Sequence, residues 1–140
     1  MKIREMAEED IPSLAKLNCD VFGEDTSEAQ AARVFSNAFQ KRVAGSCLVA
    51  EQDGELIGAI FGEKTVTFRP NSANIRSFFV KQGFREKGVG RNLLGKCLES
   101  LKKSGIESVS LTVVPENEGA ISFYEKEGFG LFRLMYRKML

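Results

Sequence analysis

Two glycines and several cationic residues lie together in a polar stretch around Gly88 and Gly90, where they could bind a negatively charged ligand. The stretch follows a predicted strand over 74–80 and precedes a predicted helix over 88–103. The first N–H groups of a helix have no partner within the helix, and the helix dipole is positive at that end. Glycine also lets a ligand approach the backbone closely, because it has no Cβ. We therefore predict a cradle for a phosphate or pyrophosphate.

Other structures could account for this stretch. It lacks the Lys-Ser/Thr pair of a P-loop, which argues against hydrolysis of nucleoside triphosphates. It also lacks the third glycine of a dinucleotide-binding fold, which argues against an NAD site. An ordinary turn before a helix is a further alternative, and for a Gly-x-Gly taken alone it is the more frequent one. A second pattern elsewhere in the chain is needed to decide between a turn and a ligand site.

Two segments of the chain resemble the GNAT superfamily of N-acetyltransferases. Residues 85–90 (Arg-Glu-Lys-Gly-Val-Gly) are similar to its Arg/Gln-x-x-Gly-x-Gly/Ala signature. Residues 117–129 are similar to its Asn-x-x-Ala-x-x-x-Tyr-x-x-x-Gly-Phe pattern. The two motifs stand in the family's order, separated by one predicted helix and one predicted strand. The resemblance covers 2–140 in outline and 74–129 in detail.

This resemblance implies an enzyme that moves the acetyl group of acetyl-CoA to a primary amine by direct transfer in a ternary complex. The acceptor would be a protein N-terminus, a lysine or a small amine. The implied fold is α/β and GNAT-like, in one domain over 1–140, with a mixed, mostly antiparallel sheet of about six to seven strands and about four helices. Two alternatives stay open: an acyltransferase for another acyl-CoA, and a non-catalytic acyl-CoA-binding or sensor module. Tyr124 favours an enzyme, because a sensor would not need it.

The resemblance also implies which residues contact acetyl-CoA. The sheet is expected to splay beside 78–80, so that backbone groups there bond the pantetheine arm and polarise the thioester carbonyl. Asn117 would bond the cofactor arm, and it is also placed to cap the helix that follows. The predicted cofactor contacts are Phe78, Phe79, Val80, Arg85, Glu86, Lys87, Gly88, Val89, Gly90, Arg91, Asn117 and Tyr124.

By the same resemblance, Tyr124 is the general acid that protonates the departing CoA thiolate. Without the motif, a half-buried aromatic residue on the inner face of a helix would be the simpler interpretation. The general base is less well defined. A water relay through Thr112, Ser110 or Ser77 ranks first, Glu63 second, and Glu116 in a loop is a further candidate.

The strength of the base bears on the acceptor. Deprotonating a lysine-like amine with a pKa of about 10.4 at pH 7 costs roughly 4.6 kcal/mol, whereas an α-amine with a pKa of about 7.8 costs roughly 1 kcal/mol. A site without a strong base therefore favours a low-pKa acceptor such as a protein N-terminus. The loop over 23–27 is a weak candidate for contacting a cationic acceptor, and a solvated loop is the more frequent role for such a segment.

Composition limits the other classes of function. The chain has 140 residues and a net charge of +1, with both signs interspersed, which argues against nucleic-acid binding. It contains no His, so His triads and His metal sites are excluded and no metal is expected. Cys19, Cys47 and Cys97 are interpreted as buried, reduced thiols of an intracellular protein. No signal peptide and no apolar run of about 20 residues is found, so we expect a cytoplasmic protein without membrane contact; a homodimer is possible.

Hydrophobic periodicity predicts the elements that must position these residues. An Asp53-Gly54 turn should join two strands as a hairpin. The predicted strands are 2–6, 47–51, 55–68, 75–80 and 108–114, with one or two more over 129–140. The predicted helices are 8–22, a segment capped by Thr26 or Ser27 and ending near 44, 88–103 and 118–127.

Overall fold

A computed structural model describes residues 1–23 and 27–140. The predicted acceptor loop over 23–27 therefore lies largely outside the described residues. The strands are β1 (Lys2–Glu5), β2 (Cys47–Gln52), β3 (Glu55–Thr65), β4 (Ser72–Val80) and β5 (Ser108–Ser110). The helices are α1 (Ile11–Phe22), α2 (Glu28–Gln40), α3 (Val89–Lys103) and α4 (Glu118–Lys126), with a single 3-10 turn at Glu8–Asp10 before α1.

The strands form one sheet in the order β1-β2-β3-β4-β5. The pairs β1–β2, β2–β3 and β3–β4 are antiparallel, whereas β5 runs parallel to β4. The β2–β3 hairpin turns at Asp53 and Gly54, whose φ angles of 52° and 79° are those of the predicted turn. The order of elements and the mixed α/β architecture confirm the predicted fold class.

Each face of the sheet is covered by helices. On one face α1 and α2 pack through Phe35, whose ring stacks on Phe61 with centroids 4.4 Å apart and on Phe79 at 5.8 Å. On the other face α3 packs against β2–β4, with Leu93 and Leu101 fully buried in a second cluster. Apolar residues at helical spacing in α1, α2 and α3 produce these buried stripes. The central strands β2–β4 are therefore held from both sides.

The thiols fit this core. Cys47 and Cys97 are buried, as predicted, and burial raises the pKa of Cys47 to about 11 and that of Cys97 to about 12. Such thiols stay protonated and unreactive at neutral pH. Cys19 is only half-buried. Among the described residues, no helix is both long enough and apolar enough to span a bilayer.

The predicted count of six to seven strands is wrong, because the described part of the chain forms five. The strand predicted over 108–114 ends at Ser110, and residues 129–140 form no strand. Both segments carry strand-like alternation, but a strand also needs a hydrogen-bonded neighbour, and neither finds one beyond Ser110. The helix predicted to reach about 44 ends at Gln40, because the Ser46 hydroxyl holds 43–46 in a tight turn into β2.

Candidate active site

The most open place in the sheet lies between β4 and β5. The two strands pair only at Ser72–Ser108, Ala73–Val109 and Asn74–Ser110. Beyond Asn74, β4 continues to Val80, and among the residues that the structure describes it pairs there only with β3, on its other side. The β4 edge over 75–80 therefore faces a gap, which is the splaying that the sequence analysis expects.

The hydrogen-bond pattern shows which backbone groups face this gap. The Lys81 N–H donates to the Ile57 carbonyl over 2.7 Å. Opposed residues of an antiparallel pair alternate between bonding each other and pointing away. We infer that the backbone of Phe79 bonds to β3, whereas those of Phe78 and Val80 face the gap. A hydrogen bond supports this inference: the Val80 carbonyl is not paired with β3 and accepts from Arg85 Nε over 3.1 Å.

The side chains of β4 alternate accordingly. Phe79 is buried in the cluster beneath α1 and α2. Phe78 lies on the opposite face, with its ring centroid 6.3 Å from that of Tyr124 and 6.2 Å from that of Phe123. Of the three predicted backbone contacts on β4, Phe78 and Val80 lie at the gap and Phe79 lies behind it.

The predicted phosphate cradle is the turn into α3. Gly88 caps the helix with a φ of 82°, a conformation that side chains rarely adopt, and Asn92 N donates to its carbonyl over 3.0 Å. The N–H groups of Val89, Gly90 and Arg91, between Gly88 and Asn92, begin the helix and have no partner within it. Glu86 also has a left-handed φ, of 65°. A Cβ added at Gly90 would lie 3.4 Å from Phe78 Cζ, so a side chain there would fill the space between α3 and β4.

Cationic side chains surround this turn but are engaged differently. Arg85 folds back onto Val80, and the Lys87 ammonium lies 5.9 Å from the Phe84 ring centroid. Arg91 Nε donates to Glu127 Oε1 over 3.0 Å, which ties the start of α3 to the end of α4. The turn thus carries positive charge, part of which Glu127 already neutralises.

Helix α4 positions the two remaining predicted residues. Asn117 is its N-cap, and Oδ1 accepts from Ala120 N over 3.1 Å. The cap uses only the oxygen, so the amide nitrogen is the atom that could donate to a cofactor. Tyr124 is packed edge-on against Phe129 at 5.7 Å, and burial raises the pKa of its phenol above the usual value. The phenol therefore keeps its proton at neutral pH, which is the form that an acid needs.

A cavity of about 170 Å³ lies at this end of the gap. It brings Tyr124 together with Ser77 and Thr112, two members of the predicted relay. Ser110 pairs with Asn74 at the end of β5, and Glu116 is exposed in the loop before α4, so neither lines the cavity. The lining residues are Phe22, Ile75, Arg76, Ser77, Phe78, Leu111, Thr112 and Tyr124.

Glu63, the predicted alternative base, lies on β3 and is only 2% exposed. Its Oε1 accepts hydrogen bonds from Arg76 Nη2 at 2.6 Å and Nε at 2.9 Å. These are charge-assisted hydrogen bonds, and both engage the carboxylate oxygen that a base would have to use. Arg76 itself lines the cavity, so the ion pair stands between Glu63 and the site. Glu63 as a base stays a prediction, which this geometry does not favour.

Arg76 is a cavity residue that the sequence analysis missed. The signal was present in the hairpin: β3 and β4 are joined by a short connection, and Glu63 pairs with Asn74 two residues from Arg76. Strand alternation places Asn74 and Arg76 on the same face, within reach of Glu63. The β-bulge comes just after this pair: Gly62 pairs with Ile75 and Phe61 with Ser77, so Arg76 is the extra residue of β4 and has no residue directly opposite it.

Comparison with known sequences identifies the class of protein to which this fold and site belong. A sequence model of the Acetyltransferase (GNAT) family matches residues 11–129. The chain therefore belongs to the GNAT acetyltransferase family.

Individual relatives agree with this. N-alpha-acetyltransferase 30 of Schizosaccharomyces pombe is 25% identical over 126 residues, covering 87% of this chain and 81% of the relative. An uncharacterized N-acetyltransferase of Methanocaldococcus jannaschii is 46% identical over 57 residues, which are 41% of this chain but only 25% of that protein. The crystal structure of Ard1 from Thermoplasma volcanium is 29% identical with a TM-score of 0.79, covering 94% of this chain and 84% of that one.

Proposed function

We propose that this protein transfers the acetyl group of acetyl-CoA to an amine, and that the amine is the α-amine of a protein or peptide. The observation that carries the proposal is the gap between β4 and β5. Around it stand the gap-facing backbone of Phe78 and Val80, the glycine-led start of α3 and the protonated phenol of Tyr124. Membership of the GNAT family supports the reaction class.

The chain's own groups suit acetyl-CoA, which supplies an acetyl group activated as a thioester. The N–H groups of Val89, Gly90 and Arg91 would receive the pyrophosphate, because a helix start combines unpaired donors with a positive dipole end. Arg85 and Lys87 would add positive charge. A Phe78 or Val80 N–H would orient and polarise the thioester carbonyl, and a donor of this kind is typically worth about 3–4 kcal/mol.

Proton transfer would involve both sides of the cavity. Tyr124 holds the proton that the leaving thiolate needs, and its raised pKa keeps that proton in place at neutral pH. Ser77 and Thr112 could bind a water that accepts the proton of the amine. Glu63 contacts the cavity only through Arg76, so the site has a weak base, which suits an acceptor of low pKa. The name of the S. pombe relative points to the same acceptor class.

The two alternatives are less well supported. A longer acyl chain would have to fit a cavity of about 170 Å³ that Phe22, Phe78 and Leu111 already border. A non-catalytic sensor would give no role to a half-buried, protonated Tyr124 beside that cavity.

Ligand-dependent unfolding tests the cofactor. A ligand at about 100 times its Kd stabilises the folded state by about 2.7 kcal/mol, which for a domain of this size raises Tm by roughly 5–10 °C. We expect that shift with acetyl-CoA and none with ATP or NAD. The same scan with longer acyl-CoAs tests chain length. Absence of any shift with acyl-CoAs would contradict the proposed cradle.

An acceptor screen by release of CoA thiol tests the reaction. We expect turnover with peptides that have a free N-terminus and little with the same peptides after N-terminal formylation. Free polyamines serve as the high-pKa comparison. Clearly faster turnover on polyamines would contradict the assignment to α-amines while leaving the acetyl transfer itself intact.

A further inference from the structure

Arg76 is the one charged residue among the described residues that line the cavity beside Tyr124. Its side chain is 48% exposed, although the buried carboxylate of Glu63 holds it by two hydrogen bonds of 2.6 and 2.9 Å. The other described lining side chains are apolar, or polar without charge at neutral pH. Arg76 therefore sets the charge of this part of the site.

Glu63 holds the guanidinium by one edge and leaves another edge open. Both bonds go to Glu63 Oε1, from Arg76 Nε and Nη2. Within the described part of the chain, Nη1 makes no hydrogen bond or ion pair. A guanidinium has five N–H groups in a planar fork, so the edge formed by Nη1 and the second N–H of Nη2 can still donate to a ligand. That edge matches the two oxygens of a carboxylate.

The β-bulge on β4 helps to position this side chain. Arg76 has no residue directly opposite it on β3, since Ile75 pairs with Gly62 and Ser77 with Phe61. Bulges change the direction of a side chain and are frequent beside active sites. A guanidinium that the backbone and a buried carboxylate both hold in place loses little further freedom when it binds a ligand.

The phosphates of the cofactor are too distant to be the anion that Arg76 binds. Successive residues of a strand are about 3.3 Å apart, so Arg76 lies roughly 13 Å before Val80 along β4. The proposed cradle at Gly88 lies beyond Val80. Phe78, whose backbone would orient the thioester, is only about 7 Å from Arg76 along the strand. The molecule next to Arg76 is therefore the acceptor whose amine attacks that thioester.

We propose that Arg76 selects acceptor peptides that carry a carboxylate, from Asp or Glu, at their first or second residue. The inference rests on the proposed acetyl transfer to an α-amine. One extended residue spans about 3.3–3.6 Å, so a side chain on either of these residues can reach Arg76 while the α-amine lies at the thioester.

The charge of Arg76 also acts on the amine itself. A like charge nearby favours the unprotonated form of an amine, which is the form that attacks a thioester. It repels acceptors with further positive charges, such as polyamines and peptides rich in lysine. A carboxylate on the acceptor, by contrast, is attracted to Arg76, so the same residue favours one class of acceptor and disfavours the other.

The first test measures peptide binding without turnover. Peptides with a free N-terminus carry Glu, Gln or Lys at residue 1 or residue 2, are otherwise identical, and are titrated calorimetrically into the protein saturated with CoA. At one of the two positions, we expect the Glu peptide to bind at least about 10-fold more tightly than its Gln counterpart, or about 1.4 kcal/mol. The Lys peptide should bind most weakly. Equal affinities of the Glu and Gln peptides at both positions, or binding of neither, would overturn the proposal.

Turnover on the same peptides separates this inference from the proposed function. Release of CoA thiol from acetyl-CoA should follow the same order, with the preference for Glu expressed in KM rather than in kcat. Acetylation without a preference for Glu would overturn the role of Arg76 and leave the acetyl transfer intact. A preference in binding without acetylation of any peptide would support carboxylate recognition by Arg76 and contradict the transfer.

Variants of the ion pair assign the preference to Arg76. Arg76→Lys keeps the charge but loses the planar fork, so the ratio of Glu to Gln affinities should fall below about threefold. Removing the charge of Arg76 alone would leave Glu63 buried without its cation. The double variant Glu63→Gln, Arg76→Gln removes both charges together, and it should bind the Glu and Gln peptides equally.

Arg4→Lys is the matched control for these variants. Arg4 also donates to buried or half-buried carboxylates, those of Asp10 and Glu51, but it lies on β1 and does not line the cavity. Its ratio of Glu to Gln affinities should equal that of the natural protein. If the double variant kept the natural ratio as well, Arg76 would serve only to pair Glu63, and the proposal would be overturned.

Discussion

The residues up to Ile106 and those after it differ in how they are packed. Ile106 is the last buried residue of the chain, and every later residue, all within the described range, is half-buried or exposed. The first region holds β1–β4 and α1–α3 around two apolar clusters. The second holds β5, α4 and the exposed residues 130–140, and no residue of α4 is buried. The stability of the domain therefore resides mainly in the first region.

The proposed active site combines the two regions. The β4 edge and the turn into α3, which would bind acetyl-CoA, belong to the packed region, so they are preformed. Tyr124, Asn117 and Thr112 belong to the loosely packed region, and the positions of these residues depend on α4 and on the Arg91–Glu127 ion pair. Substitutions in the first region should thus reduce stability or cofactor binding, and substitutions in the second should change chemistry with little effect on folding.

The largest effect is expected at Phe35, which is 1% exposed and stacked on Phe61 and Phe79. Phe35→Ala removes a buried ring and leaves a cavity, which typically costs about 3–5 kcal/mol of unfolding free energy. Urea unfolding followed by circular dichroism measures it. The matched change in the second region is Phe123→Ala, whose half-buried ring should cost about 1 kcal/mol. Equal losses at both positions would contradict the contrast in packing.

The next effect is expected at the proposed cofactor site. Gly88→Asp forces a side chain into a left-handed backbone position and places a negative charge at the start of α3. We expect acetyl-CoA affinity to fall at least about 100-fold, or about 2.7 kcal/mol, as measured by isothermal titration calorimetry.

Gly95→Asp is the control for Gly88→Asp. Gly95 lies on the exposed side of the same helix, and a Cβ there would meet nothing within 4 Å. Its affinity for acetyl-CoA should match that of the natural protein. If Gly88→Asp also retained that affinity, the turn into α3 would not be the phosphate site.

These regions also differ in how far the sequence predicts them. The hairpin at Asp53-Gly54, strand β4 and the turn into α3 depend on signals a few residues apart, and all three were predicted. Strands over 111–114 and 129–140 depend on a neighbour that the sequence does not specify, so alternation alone overcounted the strands. Phe79 was predicted to contact the cofactor together with Phe78 and Val80. The pairing register, which the sequence does not reveal, indicates that the Phe79 backbone bonds to β3. The ion pair of Glu63 and Arg76 depends on a bulge for which the sequence has no signal.

In the second region, Tyr124→Phe tests the acid. General acid catalysis typically contributes about 10²–10⁴-fold, and a thiolate leaves readily, so we expect turnover to fall by about 10²-fold at most. Acetyl-CoA affinity and unfolding free energy should stay close to those of the natural protein. Because burial raises the pKa of the phenol, ionisation of Tyr124 should reduce turnover only above the usual tyrosine pKa of about 10. Unchanged turnover in the variant would count against the acid role. So would a turnover rate of the natural protein that falls near neutral pH with every acceptor tested.

The smallest effect separates two roles of one residue. Asn117 Oδ1 caps α4 through Ala120 N, whereas the proposed bond to acetyl-CoA would use the amide nitrogen. Asn117→Ala removes both atoms and should cost about 1 kcal/mol of stability for the lost cap, together with a modest loss of cofactor affinity. Asn117→Asp keeps an oxygen for the cap but has no amide donor, so it should retain stability and lose affinity alone. Thermal unfolding and calorimetry on the two variants measure both quantities. If Asn117→Asp bound acetyl-CoA as tightly as the natural protein, Asn117 would act only as a helix cap, and the second region's contribution to cofactor binding would have to come from Tyr124 instead.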